Sequence, residues 1–197
     1  MLLPSNRLIG APILSLQTGA SLASSSDVII DPRSLHVTAF YCEGKLLDSQ
    51  PAILHTSDIR ESSTMGFIVD SADSIMPPND LVRLQEIIDF QFKLPGIKVV
   101  DDRGKKLGTV SDFLTNSLDF LIQKIYVKRP LFKRVSASDL IIDRAQIVDV
   151  TNEKITVKSP TVTVEAPTQT ANAGLSFENP FRNGNPQPEI ADRSDRE

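Results

Sequence analysis

The sequence predicts an all-β protein built as two tandem small β-barrels, joined by one short α-helix and followed by a disordered C-terminal tail. Three observations predict it: a long internal repeat, short apolar segments separated by turn residues within each copy, and a change of composition after Ser159. The resulting division is a first barrel over 8–75, a linker helix over 79–92, a second barrel over 93–159 and a tail over 160–197.

The repeat governs the rest, because overlooking one mis-assigns the whole architecture. Residues 10–42 laid over 95–127 at a spacing of 85 bring Gly19 onto Gly104, Leu22 onto Leu107, Asp27 onto Asp112 and Tyr41 onto Tyr126. The spacing then becomes 88, which pairs Ile53 with Ile141, Ile59 with Ile147 and Val69 with Val157. A single three-residue insertion in the second copy, between Tyr126 and Leu140, accounts for the change.

In the first copy, residues 12–16, 22–30, 35–42, 51–55 and 65–70 are rich in Ile, Val, Leu and Phe and read as short strands. Gly19 and Gly104 fall where a hairpin needs a positive φ, which glycine adopts without strain. Asp31-Pro32-Arg33-Ser34 has the composition of a type I turn. In the next strand Leu35 and Val37 share one face, whereas Phe40 and Cys42 fall on the other, and Phe120, Ile122, Ile125 and Val127 repeat the switch. Side chains alternate strictly along a strand, so a bulge is predicted near Thr38–Ala39 and again near Gln123–Lys124. Between the copies, Met76-Pro77-Pro78-Asn79-Asp80 breaks the chain. Leu81, Leu84, Ile87 and Ile88 then line one face of a helix that packs as a strut. After Ser159, five prolines and scattered polar residues describe a chain without the apolar surface to fold, apart from the island Leu175–Phe181.

Charge is uneven along the chain. Residues 1–78 hold four basic and eight acidic side chains, whereas 93–158 hold thirteen basic and eight acidic. Residues 79–92 and the tail, both net acidic, bring the total to −4. Cys42 is the single cysteine, so no internal disulfide forms and a reducing, cytoplasmic setting is expected. Pro4, Ser5, Asn6 and Arg7 interrupt the apolar N-terminus, which argues against a signal peptide, and no apolar run approaches the length of a membrane span.

Lys106-Leu107-Gly108-Thr109-Val110-Ser111-Asp112-Phe113-Leu114, entered through Lys98-Val99-Val100 and Gly104, resembles the PRC-barrel family, as does the closing run Leu140–Val150. The first copy, Ser21–Asp31, is similar but carries Ala23 in place of the strand glycine. The resemblance implies a tandem PRC-barrel protein related to the barrel of the photosynthetic reaction centre H subunit and to that of the ribosome maturation factor. It implies an adaptor, with no family catalytic residues to carry over.

The sequence holds no phosphate-binding glycine motif, no cysteine pair at metal spacing and no cofactor signature, and a non-enzymatic protein is expected. His55, Ser57 and Asp58 superficially suggest a triad, but the second copy has Asp143, Ala145 and Gln146 there. His36 and Cys42 correspond to Leu121 and Val127, which marks them as packing positions. Asp27 and Asp112, shared by both copies, read as carboxylates that bond nearby backbone N–H groups rather than as metal ligands. The exposed candidate is the second copy's insertion. There Lys128, Arg129, Lys133 and Arg134 surround Leu131 and Phe132, and Lys105 and Lys106 add to the charge. Two partner classes follow: a protein bound by an adaptor surface, or RNA or an anionic membrane surface met by the basic second barrel.

Overall fold

A computed structural model describes residues 1–159, except Leu46, Asp48, Ser49, 79–81 and 130–138. Its strands are β1 (Leu2–Pro4), β2 (Pro12–Ser15), β3 (Ser21–Asp31), β4 (His36–Glu43), β5 (Ala52–His55), β6 (Ile59–Ser63), β7 (Gly66–Val69) and β8 (Ile75–Met76) in the first half. The second half adds β9 (Lys98–Asp101), β10 (Lys106–Asn116), β11 (Ile122–Lys128), β12 (Leu140–Asp143), β13 (Ile147–Val150) and β14 (Lys154–Val157). Two short α-helices, α1 (Ser5–Leu8) and α2 (Val82–Asp89), and the 3-10 turns Thr56–Asp58, Ala72–Ser74 and Arg144–Gln146 are also described. The linker helix predicted over 79–92 is therefore present as Val82–Asp89, and residues 79–81 of the predicted span lie outside the described residues.

The strands form two sheets curled into half-barrels, one per copy. The first runs β6-β7-β2-β3-β4-β5-β8 and the second β13-β14-β9-β10-β11-β12, the same order except that β8 has no counterpart on the second path. In each, a parallel pair, β2 with β7 and β9 with β14, sits among antiparallel neighbours. Both predicted bulges exist. Ile29 faces Ala39 and Ile30 faces Val37, which leaves Thr38 as the extra residue. Leu114 faces Lys124 and Thr115 faces Ile122, which leaves Gln123. A second pair of bulges, at Ser26 and Ser111, precedes Asp27 and Asp112.

The structure also places a second break in the repeat. Gly10 N–H donates to Ser25 O at 2.7 Å, and its counterpart is Gly96 N–H donating to Val110 O at 2.8 Å. The entry strands thus align one residue further on than the spacing of 85 that carries Gly19 onto Gly104. The first hairpin closes between Ser15 and Ala20 and the second between Asp101 and Lys105, one residue shorter, and this difference absorbs the shift. Gly19 (φ 69°) and Gly104 (φ 79°) adopt the predicted left-handed conformation.

One apolar cluster runs through both halves, from Leu8, Ile13, Phe40, Leu54 and Phe67 to Leu94, Phe113, Ile122, Ile125 and Ile155. Phe120 of the second copy packs on Phe40 and Phe67 of the first, with ring centroids 5.8 and 6.1 Å apart in edge-to-face geometry. The leading segments cross over. β1 pairs antiparallel with β10 of the second sheet, and Leu84, Ile87 and Ile88 of α2 cover Ile29, Ala39 and Ile53 on the outer face of the first.

The Ala23 departure has a steric explanation. A Cβ on Gly108 would stand 2.3 Å from the carbonyl oxygen of Lys128 on the neighbouring strand, so this close approach requires glycine. In the first copy the glycine has moved across the gap: a Cβ on Gly44 would meet Leu22 O at 2.8 Å and Ala23 Cβ at 3.1 Å. Each copy thus leaves out a methyl at the crossing, on opposite strands. Gly108→Ala is expected to cost about 1–3 kcal/mol, as overpacking does, read as a lower urea midpoint with an unchanged slope. Thr115 is fully buried, its Oγ1 finds no partner among the described residues, and its counterpart is the apolar Ile30. Thr115→Val is expected to stabilise by about 1 kcal/mol, since an unsatisfied buried hydroxyl carries a penalty of that order; the same urea titration checks it.

Candidate functional site

The apparent triad is a helix cap. His55 precedes the 3-10 turn Thr56–Asp58, and its Nδ1 accepts the Ser57 N–H at 3.2 Å. Asp143 stands at the same place before Arg144–Gln146, where its Oδ1 accepts the Ala145 N–H at 3.1 Å. Two different side chains do the same backbone-capping work, and His55 Nδ1 also lies 2.7 Å from Ser57 Oγ, which donates to Asp58 Oδ1 at 3.4 Å. Asp27 and Asp112 likewise behave as structural carboxylates just after their bulges. Asp27 Oδ1 accepts the Val28 N–H at 2.8 Å and Asp112 Oδ1 accepts the Phe113 N–H at 2.7 Å. Each also meets the leading segment of the other copy: Ser5 Oγ donates to Asp112, and Lys93 Nζ lies 3.6 Å from Asp27. Among the described residues, no group of three or more His, Cys, Asp or Glu is placed to hold a metal ion.

Cys42 is buried in the shared core, and burial pushes its thiol up to about 12. A thiol held protonated is a poor nucleophile. Because the folded value is raised, the stability gained from the neutral thiol is full below the ordinary thiol range and is lost as pH rises toward the folded value. Native protein is therefore expected to resist iodoacetamide at mildly alkaline pH and to react readily once unfolded in urea. Mass spectrometry of the two samples checks this, and rapid native labelling would contradict it.

The basic residues of the second copy assemble in a definite pattern. Thr109 of β10 is in register with Lys128 of β11 on one side and with Lys98 of β9 on the other. Lys98 is in register with Lys154 of β14. Registered residues project to the same face, so Lys128, Thr109, Lys98 and Lys154 form a row across four strands, spaced by about 4.8 Å per strand. Their chain neighbours Val127, Val110, Val99 and Ile155 are buried, which puts the row on the outer face. Lys106, in register with Val100, lies on the same face toward the hairpin, and Lys105 follows Gly104 in the turn. The three lysines of the row and Lys106 are exposed, and none of the four joins an ion pair among the described residues.

The sequence candidates Lys105, Lys106, Lys128 and Arg129 thus come to one end of the second sheet, whereas Phe132, Lys133 and Arg134 lie outside the described residues. Sequence reasoning missed Lys98 and Lys154. Each directly precedes a buried apolar residue of a strand, and only the parallel pairing of β9 with β14 sets them side by side. At the equivalent places the first copy carries Glu43, Ser24, Pro12 and Gly66, with no cation among them.

Two cavities flank the sheets. One of about 740 Å³ lies between the Pro32–Leu35 turn and β13, with Arg33, Arg144, Asp143 and Asp149 among its lining. The other, about 580 Å³, lies between β3 and the end of α2, where burial and the Asp27 charge raise the Tyr41 phenol above its usual range. No helix among the described residues is long and apolar enough to cross a membrane. Compared with known proteins, the chain matches no family model and no curated protein.

Proposed function

We propose that the chain is a non-enzymatic binding protein of the PRC-barrel kind whose second half-barrel docks on the phosphates of an RNA strand. The observation that carries this reading is the row Lys128–Thr109–Lys98–Lys154 on the outer face of the second sheet. Like charges directly opposite one another on neighbouring strands destabilise a sheet, and the first copy builds the same crossing without them. The scaffold therefore has no need of the row, and an anionic partner gives it one. A line of cations matches a phosphodiester backbone more closely than it matches a plane of headgroups. Tyr126, two residues before Lys128 on the same face, offers a ring on which a base can stack. The capped His55, the buried Cys42 and the backbone-bonded Asp27 and Asp112 support the non-enzymatic part.

Phosphate contacts from the three lysines of the row and from Lys106 on a single strand give a slope of log K against log salt of about −3, at about −0.7 per contact. Fluorescence anisotropy of a labelled oligouridylate, titrated with protein over a salt series, measures it. Lys98→Gln with Lys154→Gln is expected to flatten the slope by about 1.4 while the thermal midpoint holds or rises. A salt-independent signal, unchanged binding by the double variant, or binding to phosphatidylserine vesicles in preference to RNA would each reject the reading.

A further inference from the structure

Asp27 and Tyr41 are in register across β3 and β4, and Asp112 and Tyr126 are in register at the same place across β10 and β11. Each aspartate follows a bulge, so the two pairs are duplicates of one another. What meets them differs. In the second copy the Ser5 hydroxyl donates to Asp112. In the first copy no hydroxyl of the described residues reaches Asp27, and α2 packs over the neighbouring Ile29 and Tyr41 instead. The helix ends at Asp89, and Gln91, with φ 48°, donates its N–H to the carbonyl of Ile88 at 2.9 Å. This turn sends Phe92 into the core and brings Lys93 back to 3.6 Å from Asp27. Between the foot of the helix and the face of the sheet lies the cavity of about 580 Å³. Its size falls in the range of small-molecule sites, roughly 300–1,000 Å³.

We propose that this cavity binds a small neutral ligand with an apolar body and one hydroxyl group, an alcohol or a phenol. The body rests on Ile29, Ile87 and Ile88. The hydroxyl takes the place that Ser5 holds in the second copy: it donates to Asp27, and its oxygen accepts from Tyr41. Asp27 has an oxygen to spare. Its Oδ1 takes the Val28 N–H, whereas Oδ2 meets Lys93 Nζ at 3.6 Å, beyond hydrogen-bond length. The Tyr41 hydroxyl bonds to no described residue, and burial together with the Asp27 charge holds the phenol above its usual range, so it keeps the proton it donates. Charge decides the class of ligand. Asp27 and Lys93 stand side by side, so an anion loses to one what it gains from the other, and so does a cation. A neutral hydroxyl, donor and acceptor at once, meets no such opposition. The cavity is on the opposite copy from the lysine row, so each stands or falls alone.

The test titrates the full chain with p-butylphenol at neutral pH and follows backbone amides by NMR, with butylbenzene and p-butylbenzoate as comparison ligands. The expected result is a set of saturable shifts at Asp27–Ile30, Tyr41 and Ile87–Lys93, with the phenol bound more tightly than either comparison ligand. Tyr41→Phe removes one partner of the hydroxyl. It is expected to weaken p-butylphenol about five-fold, the worth of an ordinary hydrogen bond, and to leave butylbenzene unchanged. Ile88→Trp, which fills the cavity from the helix side, is expected to abolish the shifts with an unchanged circular dichroism spectrum. No saturable shifts at millimolar p-butylphenol, shifts confined to other residues, equal or tighter binding of butylbenzene or p-butylbenzoate, or undiminished binding of the phenol by Tyr41→Phe would overturn the proposal.

Discussion

Val37 donates its backbone N–H to the carbonyl of Phe120 at 3.0 Å, and Ile122 donates to the carbonyl of Leu35 at 2.9 Å. These two bonds are the same bond seen from each copy, with the bridge of His36 to Leu121 between them. They exist because Leu35 (φ 49°) and Phe120 (φ 53°) both adopt the left-handed conformation, which costs a non-glycine residue about 1–2 kcal/mol. Both side chains are buried at 4 % exposure, and their transfer from water offsets the strain. Each copy curls its sheet only part of the way round, and the open side of each is closed by the turn of the other. The continuous cluster from Leu3 to Val157 follows from that closure. So does the crossing of the leading segments, because β1 and α2 each start on the partner half before entering their own.

Much of this was readable in the sequence wherever the signal is local. The bulges at Thr38 and Gln123 announced themselves as parity switches in an apolar pattern, and α2 as an apolar face on a segment opened by prolines. The positive φ of Gly19 and Gly104 followed from glycine in a hairpin. The parts that were not readable are long-range. β1 is three residues long, and its partner is β10 of the other copy, so nothing in Leu2-Leu3-Pro4 marks it as a strand. The one-residue shift at the entry strands is hidden because the match of Gly19 with Gly104 carries no information about the register before them. The separate barrels expected from the repeat share a core for a similar reason. Phe120 aligns with Leu35 as an ordinary apolar residue, and only the turn geometry sends its ring between Phe40 and Phe67.

Differences between the copies separate scaffold from surface. Where the fold needs a missing methyl, both copies supply one, at Gly108 in one and at Gly44 in the other. Where it needs a capped 3-10 turn, His55 and Asp143 serve equally. Such places tolerate a change of residue because the requirement is geometric and more than one side chain meets it. The lysine row is of another kind. Lys98 and Lys154 sit in register on a parallel pair in the middle of the sheet, where the crossing of the first copy, Pro12 beside Gly66, shows that no charge is required. The summed charge of residues 93–158 gave the sign of this surface, but not its form, because the form depends on which strands are neighbours.

The same comparison explains why the two copies present different edges. In an antiparallel sheet an uncovered strand edge displays N–H and C=O groups that must find water or another chain. The second sheet meets this need at Leu114–Asn116 with β1, a strand that also sends Leu3 into the core. The first sheet receives α2 instead, and a helix satisfies its own backbone internally. It therefore covers the outer face at Ile29, Ala39 and Ile53 with side chains, and Ile29 and Ile30 are both buried. A helix in the place of a strand thus keeps the burial of apolar area and dispenses with the backbone pairing. Both copies therefore bury the last part of the long strand, the second through a paired strand at Leu114–Asn116 and the first through the side chains of a helix over Ile29.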